Sequence, residues 1–108
     1  MSKLREFHAA TFEADVLNAK GPVLVEFEAA WCPPCKMLKP VVEQVAEAHA
    51  ATLTVGALDV DENPSIAARY QVLGMPTLGM FKGGQLVDRL VGYPGPAKVR
   101  AWVETQLD

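Results

Sequence analysis

Apolar and polar positions along the 108-residue chain change period repeatedly, and each change marks a candidate element. Residues 4–8 form a short first strand candidate. Thr11 can cap a helix over residues 12–19, which Gly21-Pro22 would end. Val23-Leu24-Val25-Glu26-Phe27 is nearly continuous apolar sequence rather than an alternating pattern, as expected of a central strand covered on both faces. From residue 34 to about 49, Met37, Leu38, Val41, Val42, Val45 and Ala46 recur at helical spacing. Pro40 lies inside that stretch and predicts a kink, because it removes a donor and crowds the preceding turn. Residues 53–58 are strand-like. Asn63 followed by Pro64 predicts a cap and a first-turn proline opening a helix through Tyr70. Strands over 77–81 and 86–91 flank Gly83-Gly84, a hairpin signal. Gly95-Pro96 opens a last helix with Val99, Trp102, Val103 and Leu107 along one face.

The predicted order is βαβαβαββα: three strands joined by helical crossovers, then an antiparallel hairpin and a closing helix. Crossovers of this kind give an α/β sandwich around a mixed sheet. The length suits one domain, spanning 1–108, with a core that needs no staples. A net charge of −3 gives no reason to expect nucleic-acid binding, and the hydrophobic fraction of 50% is ordinary for a globular protein. No stretch approaches the ~20 apolar residues of a membrane span. The basic N-terminal residues lack a following apolar run, since Glu13 and Asp15 interrupt it, so no signal peptide is expected and a reducing cytoplasm is the default compartment.

The only two cysteines stand in Trp31-Cys32-Pro33-Pro34-Cys35-Lys36, directly after the central strand. A pair at this spacing can close a disulfide at the start of a helix, where free N–H groups and the positive dipole end favour a thiolate. The thiolate is the nucleophile of disulfide exchange. A structural disulfide closing so small a loop would contribute little stability. A zinc site needs about four ligands, and only His8 and His49 could add to the cysteines, without paired spacing. Both histidines read as surface or packing residues, and no metal is expected. Trp102 reads as a core residue of the last helix.

Over essentially its whole length the chain resembles the thioredoxin family. The carrying segments are Val25-Glu26-Phe27, Ala30-Trp31-Cys32-Pro33-Pro34-Cys35-Lys36, Pro40, residues 59–64, Gly74-Met75-Pro76-Thr77, Phe81-Lys82-Gly83-Gly84 and Val91-Gly92. The resemblance implies the thioredoxin fold, a mixed five-stranded sheet flanked by four helices, with Pro76 in cis facing the cysteines. It implies a thiol–disulfide oxidoreductase that reduces protein disulfides. Cys32, nearer the helix start and the more exposed, would attack a substrate disulfide, and Cys35 would resolve the mixed disulfide. Glu26 matches the family's buried acid behind the second cysteine, which would exchange a proton with Cys35. Trp31, Pro34, Met75 and Gly92 would form an apolar rim. Gly74 and Gly92 allow close backbone approach, and the Met75 backbone would pair with an extended substrate segment. No tightly bound cofactor is implied. The implied partners are protein disulfide substrates and a thioredoxin-reductase-like flavoprotein, with the protein itself a monomer.

Four positions depart from the family pattern. Pro33-Pro34 replaces Gly-Pro, which strips two N–H donors from the loop and leaves the Cys35 N–H as the nearest local donor to the Cys32 sulfur. Pro33 precedes a proline and is biased away from helical angles. Glu26 replaces aspartate, and Ala57 replaces its usual lysine neighbour, so Glu26 is expected to lack that counter-charge and to titrate higher still. Glu28 stands where tryptophan is common, an acid near the active face that would repel anionic partners. The enzymatic alternative is an oxidant or isomerase, whose motifs usually carry histidine between the cysteines; none is present here. A binding module or assembly subunit is the alternative from another class, and replacing both cysteines by serine would leave its function intact.

Overall fold

The computed structural model describes residues 4–108. Its five strands are β1 (Arg5–Glu6), β2 (Val23–Glu28), β3 (Thr54–Asp59), β4 (Thr77–Lys82) and β5 (Gln85–Val91). Three α-helices follow β2, β3 and β5: α1 (Pro33–Ala48), α2 (Pro64–Arg69) and α3 (Pro96–Leu107). The sheet order is β1-β3-β2-β4-β5. β3 runs parallel to both β1 and β2, while β4 is antiparallel to β2 and β5.

β2 is the central strand that its apolar run predicts: its first five residues are buried, and it pairs on both sides. Strand alternation sends its side chains to opposite faces. Leu24 joins Leu38, Val42, Val45, Val99 and Val103 beneath α1 and α3. Val23, Val25 and Phe27 join Phe7, Phe12, Ile66 and Phe81 on the other face. Glu26 keeps the period of Leu24 and is turned towards the α1 face. The β4–β5 hairpin turns on Gly83 and Gly84, both at positive φ, as a two-residue type I′ connection requires.

Several predicted elements are corrected. The first strand pairs only over Arg5–Glu6. The first helix is a 3-10 turn (Ala9–Thr11) followed by a π-helical turn (Glu13–Leu17), closed by the Asn18 N–H on the Glu13 carbonyl. The Thr11 hydroxyl donates to the His8 carbonyl and does not cap that turn. Tertiary packing overrides the expected α-helix here: Phe12 and Val16 are both buried in the aromatic face, where Phe12, Tyr70 and Phe81 rings meet at 5.1–5.8 Å. Asn63 occupies the N-cap position of α2 without capping it. Its side chain instead accepts from the Ala9 N–H and donates to the Asp59 carbonyl, tying the N-terminal segment to the end of β3. α1 starts at Pro33, one residue before the expected Pro34, and continues through Pro40. Trp102 is half-buried against the core and donates its indole N–H to Asp88.

Gly56 of β3 faces the Phe7 ring so closely that a Cβ there would lie 2.5 Å from a ring carbon. Phe7 is fully buried and has no room to retreat. Gly56→Ala is expected to destabilise the protein by about 1–3 kcal/mol, the usual range for overpacking. A fall in the urea midpoint at constant m-value checks this.

Candidate active site

The end of β2 leads directly into the cysteine loop, and α1 begins inside it. Cys32 is the N-cap residue, with extended backbone angles, and Cys35 is the third helical residue; they are disulfide-bonded, with Cα atoms 5.3 Å apart. A helix start normally leaves its first N–H groups without partners. Here the Cys32 N–H reaches the Ala29 carbonyl, Pro33 and Pro34 have none, and the Cys35 N–H donates to Cys32 Sγ at 3.2 Å. The one donor this loop retains is aimed at the first sulfur, as the double proline predicts.

The exposure expected of Cys32 is corrected: both cysteines are equally buried, each 2% exposed. Cys32 lies in a small buried cluster with Ala29 and Cys35, against which Val60 and Met75 pack. Around it, Trp31 is 66% exposed, its indole N–H held by Asp61 at 2.8 Å, and Pro33, Pro34 and Lys36 are exposed. Met75 precedes Pro76 across a cis peptide bond. Thr77 Oγ1 donates to the Gly74 carbonyl, and the Gly92 N–H donates to the Pro76 carbonyl. A Cβ on Gly74 would stand 3.1 Å from Val91, so the residue 74–76 segment and the residue 91–92 corner are neighbours. The structure thus brings Met75 to the disulfide and Gly74, Pro76 and Gly92 to Met75.

Glu26 is wholly buried, and neither carboxylate oxygen has a hydrogen-bond partner. Its strand neighbours are Ala57 and Leu78. The usual lysine is absent from β3, as Ala57 implies, but α1 supplies another cation: its Lys39 ammonium lies 3.9 Å from Glu26 Oε1 and 2.6 Å from Glu28 Oε1. Burial pushes the Glu26 carboxyl from 4.5 up to about 8; Lys39 pulls it back, and Glu28 and Glu43 push it further up. Glu28, expected at the active face, is half-buried and paired with Lys39. Lys39 was missed in the sequence, although it follows Cys35 by four residues, the spacing that places two side chains on one helix face.

A thioredoxin family model matches residues 3–105. The chain belongs to the thioredoxin family. It is 53% identical over 88 residues to the thioredoxin of Mycobacterium tuberculosis, covering 82% of this chain and 76% of that protein. To the thioredoxin of Synechocystis it is 45% identical over 107 residues, 99% of this chain and 100% of the relative. It also aligns at 52% identity over 88 residues with the bifunctional thioredoxin reductase/thioredoxin of Mycobacterium leprae, 82% of this chain and 19% of that longer protein. Thioredoxins are disulfide oxidoreductases, and Cys32 and Cys35 carry dithiol/disulfide exchange in this one.

Proposed function

We propose that this thioredoxin works as a monomeric cytoplasmic electron carrier that reduces protein disulfides. The observation that carries the reading is the Cys35 N–H donating to Cys32 Sγ at the start of α1. A hydrogen bond and a helix N-terminus both stabilise negative charge on that sulfur. Cys32 is therefore the nucleophile. Its thiolate attacks a substrate disulfide, forming the mixed disulfide and releasing one substrate thiolate. Cys35 then loses its proton and attacks Cys32 Sγ. The Cys32–Cys35 bond forms, and the second substrate sulfur leaves with the bonding electron pair. Two electrons pass to substrate, and the protein ends in the disulfide state.

Glu26 is the group that takes the proton from Cys35, since its raised pKa suits exchange near neutral pH. Trp31, Gly74, Met75, Pro76 and Gly92 form the receiving face, with Pro33, Pro34 and Lys36 as the loop carrying the sulfurs. A flavoprotein reductase returns the electrons, a partner suggested by the relative that joins reductase and thioredoxin in one chain. Among the described residues no helix is long and apolar enough to cross a membrane, which fits a protein meeting its substrates in solution.

Equilibrium titration of the Cys32–Cys35 pair against a thiol–disulfide buffer tests the direction of the reaction. A potential near about −270 mV, typical of the family, is expected. A value above about −200 mV, towards the isomerase range, would replace the reductant with an oxidant or isomerase.

A further inference from the structure

Beside Cys35 lies a cavity of about 520 Å³ whose wall includes Glu28, Lys36, Lys39, Glu43 and Asp59. Lys39 links this opening to the buried acid, touching Glu28 on the cavity side and approaching Glu26 on the core side. The sheet offers Glu26 no such partner, because the residues beside it on β3 and β4 are Ala57 and Leu78. The apolar residues of α1 and α3 that cover this face of the sheet, among them Leu38, Val42, Val99 and Val103, are uncharged. The groups acting on Glu26 are thus Lys39, which favours its anion, and Glu28 and Glu43, which oppose it; Asp59 lies on the cavity wall.

We propose that Lys39 is a positioning residue for the resolving step, held by Glu28 so that its charge lets the buried Glu26 carboxyl exchange its proton with the cavity beside Cys35. This rests on the reading of Glu26 as the proton partner of Cys35. The Cys35 thiol gives its proton to the Glu26 carboxylate, and the resulting thiolate attacks Cys32 Sγ. The bond from Cys32 to the substrate sulfur breaks, and its electron pair departs on the substrate thiolate. Glu26 then returns the proton to solvent in the cavity. Without the Lys39 charge, the ionised minority of Glu26 at neutral pH, the form that accepts a proton, would shrink about tenfold further. The helix supplies here the cation that β3 lacks.

The test pairs two measurements on the full chain. Carbon-13 NMR of the Glu26 carboxyl in the oxidised protein gives its titration midpoint. Rapid-mixing kinetics gives the pH profile for closure of a mixed disulfide at Cys32. In Lys39→Met the midpoint should rise by at least about one pH unit, as loss of an adjacent opposite charge predicts. Closure at pH 7 should slow about tenfold, because each unit removes tenfold of the ionised form. Lys39→Arg should restore both values. An unmoved midpoint in Lys39→Met overturns the role of Lys39, even where Glu26→Gln slows closure. If the midpoint moves but Glu26→Gln closes at the parental rate across the pH range, the Glu26 proton-partner reading fails and takes this proposal with it. A slowed Lys39→Met that Lys39→Arg does not rescue also overturns the proposal.

Discussion

Reduced Cys35→Ser protein, mixed with a disulfide-bonded protein, is expected to accumulate as a stable covalent complex through Cys32, while Cys32→Ser forms none. The asymmetry follows from the start of α1. The Cys32 sulfur caps the helix and receives the Cys35 N–H, whereas Cys35 is placed one turn on to attack Cys32. Removing Cys35 leaves the first attack intact and deletes the group that would release the substrate. Multiple-turnover reduction should fall by at least ~10³-fold in either single variant and no further in the double one, since the two sulfurs act as a unit. Non-reducing electrophoresis followed by mass mapping of the cross-link reads the result directly. A complex formed through Cys35 would reverse the assigned roles, and retained function in the double serine variant would point to a scaffold.

Glu26→Gln is expected to stabilise the oxidised protein by about 3–4 kcal/mol at pH 7–8, with the difference fading near pH 4. The folded-state pKa of Glu26, about 8, lies above the ordinary 4.5, chiefly because burial disfavours the anion. Below 4.5 both the folded and unfolded chains hold this proton, and the group costs nothing through ionisation. Between 4.5 and 8 the unfolded chain releases the proton while the folded one retains it, so stability falls as pH rises, by about 1.4 kcal/mol per pH unit. Above 8 both states are ionised and the loss levels off. Gln keeps the shape and neutral polarity of the protonated acid but cannot ionise in the unfolded chain. Paired urea denaturations at pH 4, 7 and 8.5 isolate the group; a difference independent of pH would show that Glu26 does not titrate as its burial dictates. The stabilised variant should also be the slower catalyst if Glu26 accepts the Cys35 proton, a trade of stability for function in a single side chain.

Much of the site was readable because it is local. Cys32, the two prolines and Cys35 occupy consecutive positions at a helix start, and chain connectivity alone brings the Cys35 N–H to the first sulfur. The continuous apolar run around Glu26 marked a central strand and thereby a buried acid. The glycine pair at 83–84 announced the hairpin for the same reason: a two-residue turn with both φ values positive favours glycine. Asn63 shows the limit. Asn before Pro is a cap signal by local propensity, yet its side chain holds Ala9 from a distant part of the chain.

Taken alone, then, the sequence determined the order of strands and helices, the family resemblance, the redox pair and the donor left to it. Periodicity, turn chemistry and short spacings are properties of neighbouring residues, and neighbours stay together however the chain folds. Tertiary structure decided what depends on distant segments meeting. The equal burial of the two cysteines depends on Val60 and Met75 arriving from other elements. The π-helical turn in place of the first α-helix follows from Phe12 and Val16 both entering the aromatic face. The partner that opposes the burial of Glu26 is Lys39, which reaches a strand residue thirteen positions earlier only because α1 packs back across the sheet. A lysine was missing from the β3 neighbour of Glu26, and the fold supplied one from the helix, because electrostatic partners are chosen by distance in space.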